Sequence, residues 1–229
     1  MILYYITGIA LFAVIIMSLC ASSEVHSTFN KYAKTPNHSN KTGSEIALIM
    51  LSQAGITDVK IRKIKGHLTD NYNPQTKVLS LSESTYDSSS VSAIGVAAHE
   101  VGHAIQHHQN YKPVVLRSKI VPIVNIGSRL SIPMLIIGIL LTALSIYSNV
   151  GDFFIIFSIV LYSLSTLFAL VTLKVERDAS ARALANLESS GILDSTETPH
   201  AKKVLKAAEK TYLASLLVSL IYLIRFIII

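Results

Sequence analysis

The residues of this chain best suited to chemistry are His99, Glu100 and His103, in the run His99-Glu100-Val101-Gly102-His103. On a helix, HExxH sets two imidazoles one turn apart with a carboxylate between them, the ligand spacing of a zinc hydrolase. The surrounding sequence supports the helix. Ser88-Ser89-Ser90-Val91-Ser92 offers several N-cap hydroxyls, and from Ala93 to His108 only Gly95 and Gly102 interrupt tolerable helix formers, so the helix is expected over residues 90–108. Gly95, His99, His103 and His107 then form one stripe, with the glycines leaving room for close packing beside a metal.

A catalytic zinc takes three protein ligands and keeps one open position. No third histidine follows at the metzincin spacing, so a carboxylate on a second helix is the better candidate. Glu176, in Val175-Glu176-Arg177-Asp178-Ala179-Ser180, is the first choice. Asp178 is an alternative ligand or a residue that orients one, and Glu188 and Glu209 are remoter. With His99, His103 and Glu176 as ligands, zinc would acidify a water, while Glu100 takes its proton and passes it to the leaving amine. His107, Arg182 or a tyrosine are candidates to stabilise the oxyanion, and nothing in the sequence selects among them.

The elements that must position these groups are set by composition. With 51% hydrophobic and only 15% charged residues in 229, the chain is too apolar for an ordinary soluble domain. Ile2 to Cys20 and Phe153 to Leu173 are uncharged runs long enough to cross a hydrocarbon core. Ile132 to Tyr147, with Pro133 near its start, and Tyr212 to Ile229, with Arg225 near its end, are weaker spans. If all four cross, nineteen of the twenty Lys and Arg residues share one side, which the positive-inside rule assigns to the cytoplasm with both termini outside. The first segment carries no Lys or Arg before its apolar stretch, unlike a signal peptide. Cys20 is the sole cysteine, which excludes an internal disulfide framework and makes thiolate ligation implausible. The net charge of +6 suits a basic membrane-facing side, and no basic patch is interleaved with aromatics, so no nucleic-acid partner is expected.

The expected organisation is a membrane helix over 1–21, a cytoplasmic core over 22–130, two membrane helices over 131–173, a cytoplasmic segment with the third ligand over 174–210, and a last membrane helix over 211–229. Within the core, Ser44 to Ala54 reads as a helix closed by Gly55, Val59 to Arg62 and Lys77 to Ser82 as the two strands of a short hairpin, and Gly66 to Pro74 as turns. Helix, strand, strand, helix is the usual layout ahead of an HExxH site. Val78, Leu79, Ser80 and Leu81 are the candidate edge strand for an extended substrate backbone. Residues 111–130, basic, apolar and interrupted by prolines, read as a broken interfacial segment.

Three stretches also carry a resemblance: Leu68 to Pro74, Ala93 to His107, and Val175 to Ser180. Through them nearly the whole chain resembles the YugP-type membrane zinc metallopeptidases, distantly similar to the HtpX-type membrane peptidases. The resemblance implies a mainly α membrane protein: four transmembrane helices plus a small α+β, gluzincin-like catalytic core. It implies one Zn2+ per chain, and protein or peptide substrates close to the lipid bilayer. Self-association is compatible with the sequence but not specified by it. Such relatives usually carry Asp four residues after the Glu ligand, where this chain has Ser180.

Overall fold

The computed structural model describes residues 2–144 and 148–228. The end of the third apolar candidate, at residues 145–147 including Tyr147, and the terminal Met1 and Ile229 lie outside the described residues. In chain order the elements are α1 (Ile2–Tyr32), α2 (Gly43–Gln53), β1 (Lys60–Ile64), β2 (Asn71–Asn73), β3 (Val78–Ser82), α3 (Glu83–Tyr86), α4 (Val91–His108), α5 (Lys112–Ala143), α6 (Ser148–Ser189) and α7 (Thr198–Ile227). The protein is therefore mostly helical with one small sheet. Four helices, α1, α5, α6 and α7, are long and apolar enough to cross a membrane. Ile9, Phe12, Leu140, Phe153 and Ile156 stand exposed along them, an apolar surface that water does not favour.

The chain divides into two compact units. The first comprises the described residues within Met1–Leu19, Val115–Leu173 and Tyr212–Ile229. Its helices approach closely through small residues. A Cβ on Gly138 would stand 2.8 Å from the Gly151 carbonyl, and one on Gly151 would run into Thr142. Thr166 and Ser219 hydroxyls meet at 2.8 Å between α6 and α7. Arg225 lies over the Tyr4 ring at 4.1 Å and donates to the Tyr4 carbonyl, so its charge is met within the unit.

One expectation fails here. Prolines do not break residues 111–130, because α5 runs unbroken through Pro122 and Pro133. Pro113 falls in the first turn, where a missing N–H costs nothing. In an apolar helix the two interior prolines each forfeit one bond, whereas opening the helix would strand several backbone groups away from water.

The second unit, Cys20–Val114 with Lys174–Thr211, carries the polar chemistry. Its core gathers Ile46, Met50 and Leu51 of α2, Leu79 and Leu81 of β3, Ile94 and Val101 of α4, Leu187 of α6 and Leu205 of α7. Local signals set the ends of its helices. Thr42 and Glu45 form a capping box at α2, Gly55 takes the left-handed turn after it at φ 70°, and Ser90 caps α4 by accepting from the Ala93 N–H at 3.2 Å. Ahead of α7, the Asp194 carboxylate accepts from the Thr196 and Glu197 N–H groups, and Glu197 takes the His38 ring at 2.8 Å.

The sheet corrects the expected hairpin. β1 and β3 are parallel neighbours, Lys60 opposite Val78, and the order is β1-β3-β2. The hairpin is formed instead by β2 and β3, with Asn73 opposite Val78. The stretch read as pure turn thus hides a three-residue strand. Its Asn and Pro residues do build a turn, since the Asn73 side chain accepts from the Gln75 and Thr76 N–H groups at 2.9 and 3.1 Å. That turn follows β2 rather than replacing it.

The candidate substrate edge is corrected with it. Val78, Leu79 and Ser80 lie between two partner strands, and Leu81 is held by β1 and fully buried. A strand in the middle of a sheet has its backbone already paired. The apolar run that made this segment conspicuous reflects its central position.

Candidate metal centre

Helix α4 carries His99 and His103 on one face, their rings edge to face with centroids 4.7 Å apart. Glu176 projects toward them from α6 and is 4% exposed. Its Oε2 is 3.2 Å from His99 Nε2 and 3.3 Å from His103 Nε2. One ligand atom from each of the three lies within 4.8 Å of the others. Two donors each about 2.1 Å from a tetrahedral zinc stand about 3.4 Å apart, so the spacing fits that ion with little adjustment.

This approach of α6 to α4 depends on the second variable position of the motif, Gly102. A Cβ at Gly102 would come 2.5 Å from the Ala179 carbonyl oxygen, whereas one at Gly95 would meet the Ala201 methyl at 3.5 Å, an ordinary contact. Only Gly102 is needed for close packing. It lets the backbone of α6 lie against α4, and Glu176, one turn before Ala179, reaches the histidines.

The electrostatics of the cluster are those of a cation site. Burial alone would raise the Glu176 carboxyl, but hydrogen bonds and charge from His103 and His99 outweigh it and hold the group far below the usual carboxylate range. Burial would lower His103, yet Glu176 and Glu100 leave it raised. Glu100 is 8% exposed, and burial pushes its carboxyl up despite the two histidines.

The remaining predicted residues lie around this cluster in different ways. Asp178, on the same helix as Glu176, accepts from the Gln106 amide at 2.8 Å and from Arg182 Nε. Gln106 Oε1 is 3.0 Å from His103 Nδ1, so Asp178 acts on a histidine through an intermediary. Arg182 is also engaged with the Gln109 side chain and lies over the Tyr111 ring at 5.3 Å. His107 meets the Tyr72 hydroxyl at 3.0 Å. Both border a cavity of about 220 Å³ shared with Asp58, Lys77 and His108. Glu209 pairs with Arg177.

Sequence reasoning missed two contacts. Ser180 Oγ is 3.1 Å from His99 Nδ1, so this serine supports a candidate ligand. Gln106, wholly buried, was legible only as one more residue of the motif helix, although its i+3 spacing from His103 was a signal.

Comparison with known proteins gives the same direction. Residues 7–229 match the family described as "Putative neutral zinc metallopeptidase". The protein named "Putative membrane protease YugP" of Bacillus subtilis (strain 168) is 41% identical over 213 residues, covering 93% of this chain and 91% of its own. No solved structure matches. With a match over almost its full length, and a relative this similar, the chain belongs to that zinc metallopeptidase family.

Proposed function

We propose that this protein is a multi-pass membrane zinc endopeptidase whose catalytic unit faces the cytoplasm. The observation that carries the reading is the convergence of His99, His103 and Glu176 within 4.8 Å beside the buried Glu100. A structural zinc site is closed by four ligands and has no use for a neighbouring buried acid, whereas three ligands with a base alongside are the donor set of a hydrolytic one. The name of the B. subtilis relative, a membrane protease, agrees. The four apolar helices supply the membrane part, and the distribution of Lys and Arg supplies its orientation. The packing of α4 beside the small sheet supports a gluzincin-like core.

Bound zinc would supply Lewis acidity to the scissile carbonyl and lower the pKa of a water. Glu100, whose buried carboxyl is raised, would take up a proton from a water beside the site held by His99, His103 and Glu176 and would return it to the departing amine. Substrate backbone is held in extended form along the outer edge of the sheet nearest α4. Since β3 is interior, that edge is β2, where Asn71 and Asn73 are exposed around Tyr72. The substrate class is proteins or peptides near the membrane surface.

The test is cleavage of a casein-like substrate by the detergent-solubilised full chain and by Glu100→Gln, with zinc content measured on both. Loss of turnover with zinc retained supports the endopeptidase. Equal behaviour of the two proteins would make it a zinc-binding scaffold instead.

A further inference from the structure

We infer that Gln106 is a positioning residue that fixes the proton of His103 on Nδ1 and so dedicates Nε2 to the metal, an inference that rests on the zinc reading above. Gln106 is completely buried, and the amide group that faces α6 lies 2.8 Å from the Val175 backbone carbonyl and 2.8 Å from an Asp178 carboxylate oxygen. Both partners only accept. Those two contacts must therefore come from the Gln106 NH2, since the flipped amide would set an oxygen against two oxygens in a buried place.

With both N–H groups committed, the atom left facing His103 Nδ1 at 3.0 Å is Oε1, which can only accept. His103 Nδ1 must then carry a hydrogen, and the Nε2 lone pair is left for a cation, on the side where Glu176 stands at 3.3 Å. The network also fixes the ring plane, because Gln106 is held at one end by the backbone of α6 and Asp178 is held in turn by Arg182. His99 is supported differently. Its Nδ1 meets the Ser180 hydroxyl, a rotor that donates or accepts as required and enforces neither tautomer. The two histidines of the motif are thus unequal: His103 is preset by three fixed groups, and His99 is adaptable.

The proton position is read on full-length protein labelled with 15N at histidine, metal-free, at a pH of about 9, above the ordinary imidazole range. Glu176 in place would draw a proton toward Nε2, so the reading is made in Glu176→Ala, with the His103 signals assigned by their loss in His103→Ala. The expected result is a protonated, pyrrole-type Nδ1 and a bare, pyridine-type Nε2. Gln106→Met in the same background, similar in volume but without the acceptor, should lose this preference. Asp178→Asn, whose side-chain oxygen still accepts from Gln106, should keep it.

A second arm retains Glu176 and measures zinc affinity by chelator competition. Gln106→Met should bind zinc about 10- to 100-fold more weakly than the unmodified chain, the usual effect of removing a group that orients a metal-bound histidine. A bare Nδ1 in Glu176→Ala, or identical Nδ1 signals with and without Gln106, overturns the inference, and it does so without any metal present. Failure of the unmodified chain to bind zinc, with the Nδ1 proton found as expected, overturns the zinc reading instead. Because the first measurement is made on a chain with Gln106 intact, a Gln106→Met protein that does not fold cannot shield the inference.

Discussion

Replacing Gly102 by alanine sets two effects against each other, and the structure says which one governs metal binding. In an exposed helix the change would stabilise by about 1 kcal/mol through helix propensity. Here the new methyl carbon would lie 2.5 Å from the Ala179 carbonyl oxygen and 3.2 Å from its Cα, while ordinary contact begins at 3.4 Å. The obstacle is backbone, so no rotamer change relieves it, and α6 must retreat from α4 by about 0.9 Å at that point. Overpacking of this kind costs about 1–3 kcal/mol, which leaves folding weakened by no more than about 2 kcal/mol. The metal site has far less tolerance, because ligand distances must hold to about 0.2 Å and Glu176 rides on the helix that moves. Gly102→Ala should therefore fold and yet lose most of its zinc affinity. Gly95→Ala, whose methyl comes no closer than 3.5 Å to Ala201, should keep it. Chelator competition for affinity and thermal unfolding of the metal-free proteins separate the two quantities. Zinc binding by Gly102→Ala equal to that of the unmodified chain would refute the idea that this glycine sets the approach of the third ligand.

Glu176→Ala should reduce zinc retention far more than Asp178→Ala, which acts only through Gln106 and Arg182 and should cost about 10- to 100-fold. The reverse ranking in metal content after dialysis would reassign the ligand. Ser180→Asp places a carboxylate beside His99 Nδ1 and should tighten zinc binding in the same assay, whereas Ser180→Ala should loosen it. The hydrogen bond that the His38 ring donates to the Glu197 carboxylate raises the imidazole above its ordinary value. A raised folded pKa means that this contact stabilises fully below the unfolded imidazole pKa and is lost as pH rises through the folded one. Thermal midpoints of the unmodified chain and of Glu197→Gln should therefore differ more at a pH of about 6 than at about 8.5. A constant difference would place the contribution of Glu197 in its neutral contacts.

The sequence was most informative where one local rule decided the outcome. The capped α4, the glycine after α2 and the four apolar helices all follow from residues adjacent in the chain. Glu176 could be named because its place just past an apolar run fixed its level, although 77 positions separate it from His99. Pairing partners were not legible. Whether Val78 to Ser82 joins β1 parallel or antiparallel depends on a three-residue strand whose Asn-Tyr-Asn sequence has the composition of a turn. The support for the histidines was hidden for a related reason. Gln106 and Ser180 are ordinary polar residues until two helices are laid side by side, and only then do their atoms have something to meet.

The separation of the ligands along the polypeptide has a consequence for biosynthesis. A ribosome completes His99, Glu100 and His103 well before it reaches Glu176, and the intervening stretch encodes α5 and most of the apolar part of α6. A nascent or truncated chain that ends before that stretch possesses Glu100 and the two imidazoles but lacks the third member of the cluster. If the cluster is the centre of the proposed endopeptidase, its competence arrives only once that pair of apolar helices has been synthesised.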